Sequence, residues 1–219
     1  ERERKRLRSS TAEPDLKVVV GGSGDDTVTK WYYSQTLASK SKYIDTLLST
    51  PMTESQTKTI TFPDIKPNIW DKMMLFLDSP LAVRKMNTND AVAIAVYYEK
   101  YGFTEGANLC DDILKDYFLS LEGSEESLSI DVNFLIGALV VAKDANLHCL
   151  KEGVRYIWKK MHSEDYPYGR TMFKESQMTT LATVLRHALS PEYREKLGSE
   201  NVLVKVRGVD VAYPFDQLV

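Results

Sequence analysis

Short strand-type runs come early in this chain and helical spacing dominates after them, and that order constrains the fold class. Leu16 to Val20 and Thr27 to Tyr32 are short β-branched and aromatic runs of strand type, separated by the turn-forming stretch Gly21-Gly22-Ser23-Gly24-Asp25-Asp26. A third such run is Thr57 to Phe62. From Asp64 onward the apolar residues recur mostly at helical spacing, as in Ile69, Trp70, Met73, Met74 and Leu77, and again in Leu147, Leu150, Val154, Ile157, Trp158 and Met161. A small early sheet accompanied by helices, then an all-helical stretch, is an α+β domain followed by an all-α one.

The local signals predict the remaining elements. Two short helices, Gln35 to Ser39 and Ser41 to Leu48, follow the hairpin, with Ser41 as cap of the second. Ser49 to Gln56 reads as a loop. Asp64-Ile65-Lys66-Pro67 opens a helix that ends before Pro80, and Leu81 to Met86 reads as a short strand. Helices over Asn89 to Tyr101 and Thr104 to Leu121 are separated by Gly102. Leu121 to Ser129, rich in Ser and Glu, has the composition of a linker. Beyond it, helices are expected over Ile130 to Ala145, Leu147 to His162, Ser176 to Ala188, and Ser190-Pro191 to Gly198. Val202 to Val206 and Val209 to Ala212 read as a terminal hairpin or the start of a further domain. The expected organisation is an arm at 1–14, a first domain at 15–121, a linker at 122–129, a helical domain at 130–198 and a tail at 199–219.

Charge and cysteine usage narrow the function classes. The chain of 219 residues carries a formal charge of −3, but Glu1 to Ser10 holds five Lys/Arg against two Glu, leaving −6 on the rest. A mildly acidic body is poorly suited to phosphate backbones, so direct nucleic-acid binding by the folded part is not expected. The basic arm, Arg2, Arg4, Lys5, Arg6 and Arg8, reads as a solvated end or a piece of a longer element. The sequence does not begin with Met, which fits a fragment or a processed chain. The longest apolar run, Phe134 to Ala142, falls well short of the roughly 20 residues of a membrane-spanning helix. Two cysteines, Cys110 and Cys149, are too few for a disulfide scaffold, so a reducing compartment, cytoplasm or nucleus, is expected.

Catalytic signals are weak. The glycine-rich turn lacks both the Lys-Ser/Thr of a phosphate loop and the GxGxxG spacing. His148 and Cys149 are adjacent on a predicted helix and diverge by about 100°, so they do not pair as base and nucleophile; Cys149 is expected to be partly buried and His148 near the surface. Asp25-Asp26, Asp111-Asp112 and Glu125-Glu126 are adjacent pairs that read as solvated surface charge. No metal, cofactor or catalytic residue is assigned, and the chain is expected to be non-enzymatic.

Several motifs nonetheless fall in a recognisable order. Asp15 precedes Leu16-Lys17-Val18-Val19-Val20. Leu37-Ala38-Ser39-Lys40-Ser41-Lys42-Tyr43-Ile44 matches a Leu-Ala-x-x-Ser-x-Tyr-Phe pattern, with Ile44 in place of Phe. Asp64-Ile65, Pro67 and Trp70 follow, then Tyr101-Gly102 and Leu109-Cys110. From Asp15 to about Leu121 the chain therefore resembles the BTB/POZ domain. It departs from that pattern at Tyr33-Ser34, where His and a basic residue are usual, and at Asp78-Ser79-Pro80, where Tyr-Thr-Gly is usual. The resemblance makes Asp15 a candidate oligomer-interface residue, since in dimeric members this Asp and the basic residue build a charged pocket. With Ser34 replacing the cation, Asp15 is expected to lose its partner.

Ala142-Lys143-Asp144-Ala145-Asn146 to Leu150, Tyr156-Ile157, Phe173 and the Met178 to Leu185 stretch resemble the helical BACK domain. BTB followed by BACK is the arrangement of substrate adaptors for cullin-based ubiquitin ligases. Met52-Thr53-Glu54 has the hydrophobic-x-Glu form that cullin-binding members carry between their second helix and the next strand. The resemblance implies an interaction module, with Met52 as apolar anchor and Glu54 as orienting contact to a cullin, and a homo-oligomer. Two rivals stay open: a structural or assembly subunit, and a gene-regulatory protein whose arm belongs to an upstream nucleic-acid-binding segment.

Overall fold

Strand β1 (Leu16–Val20) is the middle of a three-stranded sheet, and its burial alternates as a pleated strand requires: Leu16, Val18 and Val20 are fully buried, while Lys17 and Val19 are half-buried. In this computed structural model the described residues are 13–22, 27–123, 131–162, 177, 180–181, 183–184, 187, 201–206 and 209–214. β2 (Val28–Tyr32) pairs antiparallel with β1, placing Leu16 opposite Tyr32 and Val20 opposite Val28. β3 (Thr59–Phe62) pairs parallel on the other side, with Lys17 opposite Thr59 and Val20 opposite Phe62, so the order is β2-β1-β3. Gly21, at φ 106°, turns the chain out of β1 in a conformation that side chains rarely adopt, while its N–H donates to the Phe62 carbonyl.

The crossover from β2 to β3 contains α1 (Ser34–Lys40), α2 (Lys42–Ser49) and α3 (Thr53–Thr57). A single residue separates the first two. Ser41 has extended backbone, its N–H bonds the Leu37 and Ala38 carbonyls that end α1, and its hydroxyl accepts the Ile44 N–H at 3.1 Å to begin α2. Its complete burial leaves no water to replace these bonds. The expected loop from Ser49 to Gln56 is in part helix. Met52, extended, supplies the first carbonyl of α3, and the Ser55 hydroxyl accepts the Met52 N–H at 3.1 Å and donates to the Met52 carbonyl at 2.8 Å.

The chain divides into two compact units, Glu1–Trp70 and Asp71–Val219, and the division falls within α4 (Pro67–Asp78). In the first unit Trp70 is fully buried, donates its indole N–H to the Tyr32 hydroxyl at 2.7 Å, and stacks on Phe62 at 4.7 Å between centroids. One side chain thereby links β2, β3 and the start of α4.

In the second unit, α5 (Pro80–Val83) replaces the expected strand at Leu81 to Met86. The reason is local: the Ser79 hydroxyl accepts the Ala82 N–H, and Pro80 presets the first helical φ, which together outweigh the strand preference of so short a run. α6 (Thr88–Lys100) and α7 (Thr104–Gly123) form a hairpin about Gly102, φ 64°, closed by the Phe103 N–H on the Tyr98 carbonyl at 2.8 Å. The hairpin packs so closely that a Cβ on Gly106 would lie 2.7 Å from the Tyr98 ring.

α8 (Val132–Asp144) is begun by Asp131, whose carboxylate accepts the N–H groups of Asn133 and Phe134. It ends on Asn146, φ 51°, with the Leu147 N–H returning to the Ala142 carbonyl. That left-handed residue delays α9 (Leu150–His162), which starts three residues later than the apolar spacing predicts. β4 (Asn201–Val206) and β5 (Val209–Pro214) form the antiparallel terminal hairpin. Most of the expected linker, the helix expected from Ser190 and most of Ser176 to Ala188 lie outside the described residues.

Candidate partner-docking surface

Met52 and Glu54 are set by the junction between α2 and α3. Thr50 ends α2 in extended backbone, its N–H on the Thr46 carbonyl, and the next bond is a three-residue turn about Pro51 in which the Met52 N–H donates to the Thr50 carbonyl at 2.7 Å. Held from both sides, by Thr50 and by Ser55, Met52 is 46% exposed although it is a large apolar residue. Glu54 is half-buried in the first turn of α3, where a carboxylate is favoured by the helix N-terminus. The two residues therefore share one short helix start. Tyr43 on α2, 39% exposed, and its ring contact with Phe62 are in the same unit.

Asp15 belongs to a different place, the entry to β1. Its carboxylate accepts two hydrogen bonds from one residue: the Ser34 N–H to Oδ1 at 2.8 Å and the Ser34 hydroxyl to Oδ2 at 2.7 Å. Ser34 is the first residue of α1, and the residue before it, Tyr33, makes no side-chain cap. Asp15 thus caps α1 from the entry to β1. Those bonds, the backbone one foremost, hold its carboxyl below the usual carboxylate range, with a smaller contribution from Lys58. The expectation that Asp15 loses its partner is corrected: the residue that replaced the cation is itself the partner, because a hydroxyl beside a free helix N–H offers two donors to one carboxylate.

A second correction concerns Asp111, expected as solvated charge. It is half-buried on α7 and accepts the Cys149 N–H at 2.7 Å, tying α7 to the turn that precedes α9. Asp112 is exposed as expected, and so is His148, while Cys149 is buried. Burial, and then the Asp111 charge, push the Cys110 thiol up to about 12; the same two causes in the same order raise Cys149 further. These are unreactive, structural thiols. Among the described residues no three His, Cys, Asp or Glu side chains gather into a metal-binding group, and no helix is long and apolar enough to cross a membrane.

Sequence reasoning missed the hydrogen bonds of Ser34, Ser55 and Asp111: Ser34 donates its N–H and hydroxyl to Asp15, Ser55 accepts the Met52 N–H, and Asp111 accepts the Cys149 N–H. It also overlooked Trp31, 58% exposed on the edge strand β2. A model of the BTB/POZ domain matches residues 5–116, just over half of the 219-residue chain. No curated protein matches it.

Proposed function

The chain belongs to the BTB/POZ domain family, which mediates protein–protein interaction, and we propose that it is a substrate adaptor for a cullin-based ubiquitin ligase. The observation that carries this reading is Met52: a large apolar side chain, 46% exposed, held at the start of α3 with Glu54 in the following turn. An exposed apolar anchor beside a carboxylate pairs a hot-spot side chain with a polar orienting contact. The helices α8 and α9 support assigning 130–198 as a BACK-like domain that follows a BTB domain at 15–121. Two free buried thiols support a reducing compartment, cytoplasm or nucleus. The work assigned to the chain is recognition and homo-oligomerisation, without catalysis.

The test is size-exclusion chromatography with light scattering on the chain alone and mixed with a purified cullin N-terminal domain. A co-complex is expected that is lost in the double variant Met52→Ala/Glu54→Ala while its circular dichroism stays native. Retained binding in that variant overturns the assignment.

One observation favours a second reading, a dedicated assembly subunit. The Asp15 carboxylate accepts two hydrogen bonds from Ser34 within its own chain, and that serine stands where the charged pocket implied by the resemblance has its cation. A well-folded chain that ignores the cullin and runs at a single oligomeric mass supports that reading instead.

A further inference from the structure

We propose that Thr50 is a phosphorylation site for a proline-directed Ser/Thr kinase and that phosphate there closes the Met52–Glu54 surface to its partner, an inference that rests on the adaptor reading above. Thr50-Pro51 lies in the junction between α2 and α3, where Ser49, Pro51, Met52 and Thr53 are exposed and Thr50 is partly exposed. Thr50 (φ −90°, ψ 142°) and Met52 (φ −110°, ψ 173°) flank the proline in extended backbone. Proline disfavours helix in the residue before it, so α2 stops at Ser49 and Thr50 stands in extended backbone just outside it.

The hydroxyl is also available. Among the described residues the Thr50 side chain makes no hydrogen bond; only its N–H and carbonyl are engaged. Ser79-Pro80 provides the contrast, because the Ser79 hydroxyl is occupied as the cap of α5, accepting the Ala82 N–H at 3.3 Å. Transfer to Thr50 is balanced by ATP: Oγ1 attacks the γ-phosphorus, the bond from that phosphorus to the bridging oxygen of ADP breaks, the hydroxyl proton goes to the kinase's base, and ADP leaves.

The product changes the docking surface and not the core. A phosphothreonine carries about −1.5 to −2 charge. The bond from the Met52 N–H to the Thr50 carbonyl fixes that charge next to the apolar anchor, and Glu54 follows in the next turn. A partner shaped for one apolar side chain and one carboxylate must then desolvate a phosphate beside them, with the two negative groups repelling each other.

The full chain is incubated with an active mitogen-activated protein kinase and Mg-ATP, its phosphate located by mass spectrometry, and both forms are titrated with the cullin N-terminal domain. One phosphate on Thr50, absent in Thr50→Ala and in Pro51→Ala, and a Kd raised at least tenfold are expected, with Thr50→Ala binding like the unmodified chain. Thr50→Glu is expected to weaken binding in the same direction. No phosphate on Thr50 of the folded chain, under conditions that modify a peptide spanning residues 46–57, overturns the site. Complete modification with unchanged Kd overturns the switch while leaving the adaptor reading in place. Failure of the unmodified chain to bind the cullin overturns the adaptor reading and, with it, the switch.

Discussion

Asp15→Ala tests how the first unit joins its sheet to its helices. The substitution removes both hydrogen bonds to Ser34, at 2.8 and 2.7 Å, and leaves the first turn of α1 without a side-chain acceptor. Losing a helix cap costs about 1 kcal/mol, within a range of about 0.5–2. Hydrogen bonds to a charged group reach about 1.5–3 kcal/mol, but Asp15 is exposed, so water replaces part of what is lost and solvent screens the rest. The expected loss is therefore about 1 kcal/mol at neutral pH. Asp15→Asn, which keeps an acceptor without charge, should lose about half of that. Urea unfolding at unchanged m-value measures each, and the double cycle with Ser34→Ala should give a coupling of about 0.5 kcal/mol. The pH dependence of this contribution has a definite sign. Because the folded-state carboxyl is held below its ordinary value, its contribution is complete above the unfolded pKa of about 3.9 and disappears as pH falls through the lower folded value. Wild type and Asp15→Ala should thus converge in acid. A difference under about 0.2 kcal/mol at pH 7, or one that persists unchanged below the carboxylate range, refutes the capping account.

Gly153→Ala places a Cβ 2.5 Å from Leu139 Cδ2 and 3.1 Å from the Phe118 ring, both fully buried; overpacking of about 1–3 kcal/mol should exceed the roughly 1 kcal/mol gain in helix propensity, lowering Tm. An unchanged or raised Tm would show that Leu139 can move aside. Asn146→Val should destabilise by about 1 kcal/mol or more, since a β-branched residue at φ 51° is strained, whereas Asn146→Gly should change little; equal melting of the two variants would remove the turn from the account. Cys110 and Cys149, with thiols raised by burial, should react with a disulfide reagent at pH 8 only as fast as the protein opens. Their folded values lie above the unfolded value of about 8.5, so their contribution is complete below that pH and declines above it; fast labelling of the native chain would contradict their burial.

What the sequence alone determined were features decided by neighbours along the chain. The β-branched run of β1, the serine that separates α1 from α2, the break at Gly102 and the motif order pointing to BTB/POZ all depend on residues within a few positions of one another. Met52-Thr53-Glu54 could be picked out as a tripeptide between two elements for the same reason, although the helix that starts there was not predicted. Tertiary structure alone decided the rest. That β1 takes β3 as a parallel partner, that Asp15 caps a helix nineteen residues away, and that Asp111 binds the backbone of Cys149 thirty-eight residues away are matters of long-range pairing. A carboxylate's partner is whichever donor the fold carries within about 3 Å, and residue spacing along a chain does not encode that distance. The same limit applies to exposure: the sequence could place Met52, Trp31 and Trp70 among apolar residues, but only packing determined that the first two face solvent and the third is enclosed.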